Sequence, residues 1–221
     1  MRDEIPAFAG MTMKIKVCGM KYNIQEVAAL QPDYLGFIFY DKSKRDFEDR
    51  EIPTLPDGIK KVGVFVDAGI AFAKARIEKH HLDIIQLHGN ESPEYINELR
   101  ACLVERSRDL NVWKVFSIKN SFNFDRLKPY EGIVDAFLFD TKGAEKGGNG
   151  YTFDWGVLKQ YPSKTPLILS GGIGLNEVDK VKEILATDLP ILALDVNSRF
   201  EDEPGMKNIE ELGKFKTVLQ L

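Results

Sequence analysis

Five apolar runs in this 221-residue chain stop at residues that could move protons or hold anions. They end at Cys18, at the Gln86 to His88 pair, at Asp140, at the Ser170-Gly171-Gly172 turn and at Asp195. A thiol and a carboxylate have different intrinsic pKa values, which suits them to base and acid roles within one site. On position alone, Cys18 in KVCGM fits packing and chemistry equally, because cysteine is also a small buried hydrophobe. As a base it needs its pKa of roughly 8.5 lowered, and the following helix N-terminus and positive neighbours are expected to do so. Asp140 closes FLFD, where packing gives little reason for a carboxylate, so chemistry is favoured over turn capping. For Asp195 in LALDVNS, a polar contact and a cap are equally good readings.

The glycine-rich turn at 170–174 (SGGIG) and the VNS turn at 196–198 present backbone amides suited to a phosphate. GGNGYTFDW (147–155) has the glycines of a mobile lid. Arg45, in DKSKRDF, could pair with a carboxylate, although a lone loop arginine is more simply solvated. His88 could orient a substrate or serve structure. His80 and His81 end a helix, where cations suit the macrodipole, and Cys102 at another helix end is expected to be inert. No zinc-type ligand spacing and no phosphate-binding P-loop motif is found, so neither a metal nor a nucleotide cofactor is expected.

Such scattered residues share a site only if the fold brings strand ends together. Strands are expected at 14–18, 34–39, 62–66, 84–87, 112–116, 136–139, 167–169 and 191–194. Helical patterns fall at 24–30 after Asn23 as N-cap, 69–80, 93–100, 124–130, 154–160, 177–185 and from 209 onward. The near-continuous apolar run YLGFIF indicates strands buried on both faces, hence a parallel sheet covered by helices. Eight strands alternating with helices predict an α/β fold, a single (β/α)8 TIM barrel, whose mouth gathers the C-terminal ends of its strands. A doubly wound sheet is the runner-up, but no glycine-rich dinucleotide loop follows the first strand. Pro53 and Pro56 predict a short or irregular second helix.

With 43% hydrophobic and 29% charged residues, the chain suits one globular domain. A net charge of −4 offers no basic field for nucleic acid or an anionic membrane. No apolar run approaches the roughly 20 residues that span a bilayer, and two cysteines without a secretory leader suit reduced thiols in the cytoplasm. Residues 1–12 are expected to be a loosely ordered leader outside the domain, with Met13 as the natural start and 13–221 as the barrel.

Taken in order, KVCGM (16–20), LGFIFYDKSKR (35–45), VGVFVD (62–67), IIQLHGNE (84–91), FLFDTK (137–142), GGNGYTFDW (147–155), LILSGGI (167–173), LDVNSRFE (194–201) and PGMKN (204–208) resemble the phosphoribosylanthranilate isomerase family of tryptophan biosynthesis. The resemblance implies a cofactor-free Amadori rearrangement of N-(5-phosphoribosyl)anthranilate to 1-(2-carboxyphenylamino)-1-deoxyribulose 5-phosphate. It implies Asp140 as general acid, Cys18 as general base and Arg45 on the anthranilate carboxylate. The amides around Gly171, Gly172, Asn197 and Ser198 would hold the phosphate, with His88 and Asp195 as further substrate contacts. The expected partner is this small phosphosugar, bound by a monomer or weak homodimer. Two departures from the family pattern stand out: Lys44 where a proline is common before the arginine, and Arg199 where glycine is common. Arg199 is expected to turn its side chain outward. The alternatives are another phosphosugar TIM-barrel isomerase and a catalytically silent phosphate-binding barrel.

Overall fold

The computed structural model describes residues 13–103, 110–119, 121–141 and 154–220. The leader at 1–12 and residues 147–153 of the expected lid lie outside the described residues. Eight parallel strands close into a barrel in sequence order: β1 (Lys14–Val17), β2 (Tyr34–Phe39), β3 (Lys60–Phe65), β4 (Ile84–Leu87), β5 (Asn111–Ile118), β6 (Ala136–Thr141), β7 (Leu167–Leu169) and β8 (Ile191–Val196). Residue alternation explains why these segments form strands buried on both faces. On the outer face Ile15, Val17, Phe37, Phe65, Phe137 and Phe139 pack under the helices, while Tyr34, Val62, Ile84, Trp113, Leu138, Ile168 and Ala193 fill the interior. Each fully buried phenylalanine contributes about 1.5–3 kcal/mol of apolar burial, and closure removes the sheet edges that would otherwise seek partners.

The period of two also places the polar residues. Two positions beyond the interior Ile84, Leu138, Ile168 and Ala193 come Gln86, Asp140, Ser170 and Asp195, at the C-terminal mouth.

The helices are α1 (Ile24–Ala29), α2 (Ile70–His80), α3 (Pro93–Cys102), α4 (Val178–Leu185) and α5 (Ile209–Leu219). Ser92 caps α3 by accepting from the Tyr95 amide, and Asn208 caps α5 by accepting from Glu211. Several expectations are corrected. Asn23 does not cap α1 with its side chain, because that amide is engaged with the Lys207 backbone in both directions. The helices expected at 124–130 and 154–160 are tight 3-10 turns (Phe124–Tyr130 and Trp155–Gln160), the first with Pro129 inside it. No helix forms between 40 and 59; Phe47, fully buried and edge-on to Phe37 at 4.9 Å, fills the space instead. A short antiparallel hairpin, β9 (Glu201–Glu203) and β10 (Met206–Lys207), was not expected.

His80 is also corrected. Rather than capping α2 as a cation, it lies buried, stacked on Phe39 at 5.2 Å and edge-on to Phe47, with neither ring nitrogen hydrogen-bonded. Burial holds its pKa below the ordinary value, so it is a neutral core residue. Cys102 is the exposed last residue of α3.

Candidate active site

All nine expected site residues line one cleft at the barrel mouth. Cys18 follows β1 directly and is 4% exposed; its amide donates to Val196 O at 2.8 Å, stitching it to the end of β8. Gly36 on β2 makes room for it, since a Cβ there would stand 2.9 Å from Cys18 Sγ and 3.1 Å from Lys16 Cε. Lys16 is wholly buried in the barrel interior, two residues before the thiol on the same face, and donates to Asp195 Oδ1 at 2.8 Å. Ser170 Oγ occupies the other carboxylate oxygen at 3.1 Å.

The thiol's charge state differs from the expectation. Burial pushes the Cys18 thiol above its ordinary value, Lys16 is the largest opposing influence, and Asp195 adds to the rise. The resting residue is therefore a thiol rather than a standing thiolate, and the positive neighbours that favour its ionisation are the Lys16 and Lys207 ammonium groups. Burial also favours deprotonation of Lys16, but its pKa lies above the ordinary value: the Asp195 carboxylate is the largest influence favouring the ammonium, and Cys18 adds to it only once ionised.

Asp140, near the end of β6, is 6% exposed, and its pKa is pushed up to about 7. Burial is the main cause and the Asp195 charge the second, partly offset by the Thr141 amide, which donates to Oδ1 at 2.8 Å, and by Lys16. His88 Nε2 lies 3.5 Å from Asp140 Oδ2. A carboxyl that is substantially protonated near neutral pH can donate a proton, which is the property a general acid requires.

Arg45 is neither loose nor merely solvated. Its Nε reaches both Glu201 oxygens at 2.9 Å and its Nη2 reaches Oε2 at 2.5 Å, a charge-assisted fork that fixes the plane of the guanidinium. Glu201 is held in turn by Lys207 Nζ at 2.6 Å and by the Gly205 amide at 3.1 Å, and Lys207 also reaches Asn197 Oδ1 at 2.8 Å. Burial raises the cost of charge on Glu201, but Arg45 and Lys207 more than compensate and keep its carboxyl below the usual range. The loop that lacks the common proline is tied instead by Ser43 Oγ, which accepts from the Arg45 amide, and by Asp46 Oδ1, which accepts from Tyr40.

Gly171 and Gly172 have φ of 88° and 70°, a left-handed pair that only glycine adopts readily. A side chain at Gly171 would collide with Thr141. Successive amides in such a turn form a concave anion seat. Arg199 is exposed and lines the rim of the cleft, and its Cβ would lie 3.2 Å from a Cβ on Gly174. Among the described residues no group of three or more His, Cys, Asp or Glu could hold a metal ion, and no helix is long and apolar enough to cross a membrane.

Sequence reasoning missed Lys16, Glu201 and Lys207 as parts of the site. The period of two in KIKVC puts Lys16 on the face of Cys18, and that signal was available. Nothing local reveals that Glu201 joins Lys207 to Arg45, which stands 156 residues from Glu201 in the chain.

Comparison with known proteins bears on the family and the fold. The family model described as N-(5'phosphoribosyl)anthranilate (PRA) isomerase matches residues 13–218. An N-(5'-phosphoribosyl)anthranilate isomerase of Parabacteroides distasonis is 42% identical over 212 residues, covering 92% of this chain and 91% of that one. The crystal structure of phosphoribosyl anthranilate isomerase from Thermus thermophilus superposes with a TM-score of 0.76 at 26% identity, covering 94% of this chain and 98% of that one. A phosphoribosyl anthranilate isomerase in complex with reduced 1-(o-carboxyphenylamino)-1-deoxyribulose 5-phosphate superposes with a TM-score of 0.69 at 26% identity, covering 95% and 100%. With its barrel and nearly its whole length matched, this chain belongs to the N-(5'-phosphoribosyl)anthranilate isomerase family.

Proposed function

We propose that this chain catalyses the Amadori rearrangement of N-(5-phosphoribosyl)anthranilate to 1-(2-carboxyphenylamino)-1-deoxyribulose 5-phosphate, with Asp140 as acid and Cys18 as base. The observation that carries the assignment is a buried carboxyl held near pKa 7 in the same cleft as a buried thiol, with a lysine beside the thiol. Asp140 gives its proton to the furanose ring oxygen as the bond from that oxygen to C1 breaks, leaving an iminium at C1. The iminium is an electron sink that acidifies the C2 hydrogen, so Cys18, once its own thiol proton has been lost to solvent, can remove that proton to give an enolamine and return to the thiol. Return of a proton to C1, with loss of the proton on the C2 hydroxyl, completes the ketone and leaves no net proton change.

Arg45 serves the anthranilate carboxylate with the edge that Glu201 does not occupy. The Gly171-Gly172 turn and the backbone at Asn197 and Ser198 hold the phosphate, with Arg199 adding a charge at the rim. His88 faces the acid, and Asp195 acts on the substrate mainly through the Lys16 ammonium it holds. Proton transfers alone are required, so the reading includes no cofactor. The domain is taken as 13–221, working in the cytoplasm as a monomer or weak homodimer.

The test generates phosphoribosylanthranilate in situ and follows its loss of fluorescence. Wild-type protein consumes it, while Cys18→Ala and Asp140→Asn each lose roughly a hundredfold or more in kcat. Near-normal turnover by Cys18→Ala would remove the base assignment, and no turnover by folded wild type would remove the reaction.

A further inference from the structure

A lysine inside a (β/α)8 barrel is costly. The interior here is otherwise filled by side chains such as Tyr34, Val62, Ile84, Trp113 and Leu138, and a buried ion pair seldom improves on apolar residues of the same volume. Lys16 nevertheless stands fully buried in that space, its ammonium 2.8 Å from Asp195. Its position relative to Cys18 gives it a use. The thiol and the end of the lysine stem flank one point above Gly36, at 2.9 and 3.1 Å from where a Cβ would be.

The other charged groups facing Cys18 divide by sign. Asp195 from β8 opposes a thiolate, whereas Asp140 from β6 can do so only when ionised. Lys207 from β10 favours one but is committed to Glu201 and Asn197. Arg45, whose Cδ would lie 2.7 Å from a Cβ on Gly19, is committed to Glu201. His88 stands beyond, against Asp140. Lys16 is therefore the cation that shares both a strand face and a burial environment with the thiol.

We infer that Lys16 is the positioning residue for Cys18: clamped by Asp195, its ammonium stabilises the thiolate form that Cys18 must hold before it can accept the C2 proton. The inference rests on the reading of Cys18 as that base. Asp195 then has two opposed effects, disfavouring the thiolate directly and favouring it by keeping Lys16 charged. Of the influences on the thiol, Lys16 is the largest that opposes burial.

The test uses a Cys102→Ser background, which leaves Cys18 as the one thiol. Thiolate formation is followed by absorbance near 240 nm and by the rate of alkylation with iodoacetamide across pH, neither of which needs substrate. Lys16→Met moves the thiol titration up by one pH unit or more, a tenfold or greater loss of thiolate near neutrality, and the rising limb of kcat against pH moves with it. Folded Lys16→Met with an unmoved titration overturns the inference, whatever its turnover. Should that variant fail to fold, the Lys16 Nζ resonance of lysine-labelled protein decides. It shifts at the pH where Cys18 ionises if the two groups pair, and an Nζ signal indifferent to that ionisation overturns the inference. Full activity of Cys18→Ala, by contrast, removes the base assignment and leaves the titration result standing.

Discussion

Replacing Asp140 by Asn should make the protein more stable at alkaline pH while nearly abolishing turnover. The carboxyl ionises at about 7 in the folded protein against an ordinary 3.8. Between those values the folded protein keeps a proton that the unfolded chain has released, so wild-type stability falls as pH rises through the window. At about 1.36 kcal/mol per pH unit, the whole window costs the wild type about 4 kcal/mol. Asn carries no charge at any of these pH values, and its side-chain oxygen can still accept from the Thr141 amide. The stability difference between Asp140→Asn and wild type should therefore grow by about 4 kcal/mol from pH 4 to pH 8, with other titrating groups cancelling in the comparison. Urea unfolding of both proteins at intervals of one pH unit measures it. In thermal melts the change corresponds to roughly 8–16 °C for a chain of this size. Parallel stability curves, with the same difference at both ends, would show that Asp140 ionises normally in the folded protein and that its burial does not hold the proton.

Other substitutions probe the supports of the site. His80→Phe keeps the stacking on Phe39 and removes a ring that must stay neutral. Because the folded pKa of His80 is depressed, wild-type stability is fully present above about 6.5, the ordinary value, and is lost as pH falls below it. The variant should resist acid unfolding better while matching wild-type turnover at neutral pH, as melts at pH 5 and pH 8 would show. Glu201→Gln loosens the fork on Arg45 and leaves Lys207 short of its buried partner, so KM should rise about tenfold with a stability loss of about 3–5 kcal/mol; an unchanged KM in steady-state assays would separate Arg45 from substrate binding. Gly36→Ala forces a methyl against Cys18 Sγ and Lys16 Cε, costing about 1–3 kcal/mol and displacing the thiol. Its kcat should drop about tenfold, and normal kinetics would show that the thiol has room to move.

The barrel and the chemical residues were legible in the sequence because both follow from short-range rules. Alternation in KIKVC, the double-faced burial of YLGFIF and the strand ends at Asp140 and Asp195 each depend on a few neighbouring residues. A barrel converts those strand ends into one mouth without further information. The 3-10 turns at Phe124–Tyr130 and Trp155–Gln160 were less legible, because their composition suits either helix type and Pro129 alone hinted at the tighter form. Asn23 has the residue type of a cap, but a bidentate partner in the Lys207 backbone, distant in sequence, competes for the same amide.

What only tertiary structure decided is the electrostatic state of the site. A sequence names a thiol and a carboxyl but not their burial, and burial is the largest influence on both. It cannot show that Asp195 spends its two oxygens on Lys16 and Ser170, or that Arg45 and Lys207 converge on Glu201. The physical reason is range. Secondary structure is settled by contacts within a turn or a pleat, whereas a pKa is settled by every charge and cavity within several ångströms, whatever the chain distance. Residue types fixed the chemistry available to this protein, and the closing of the barrel decided which proton each group carries.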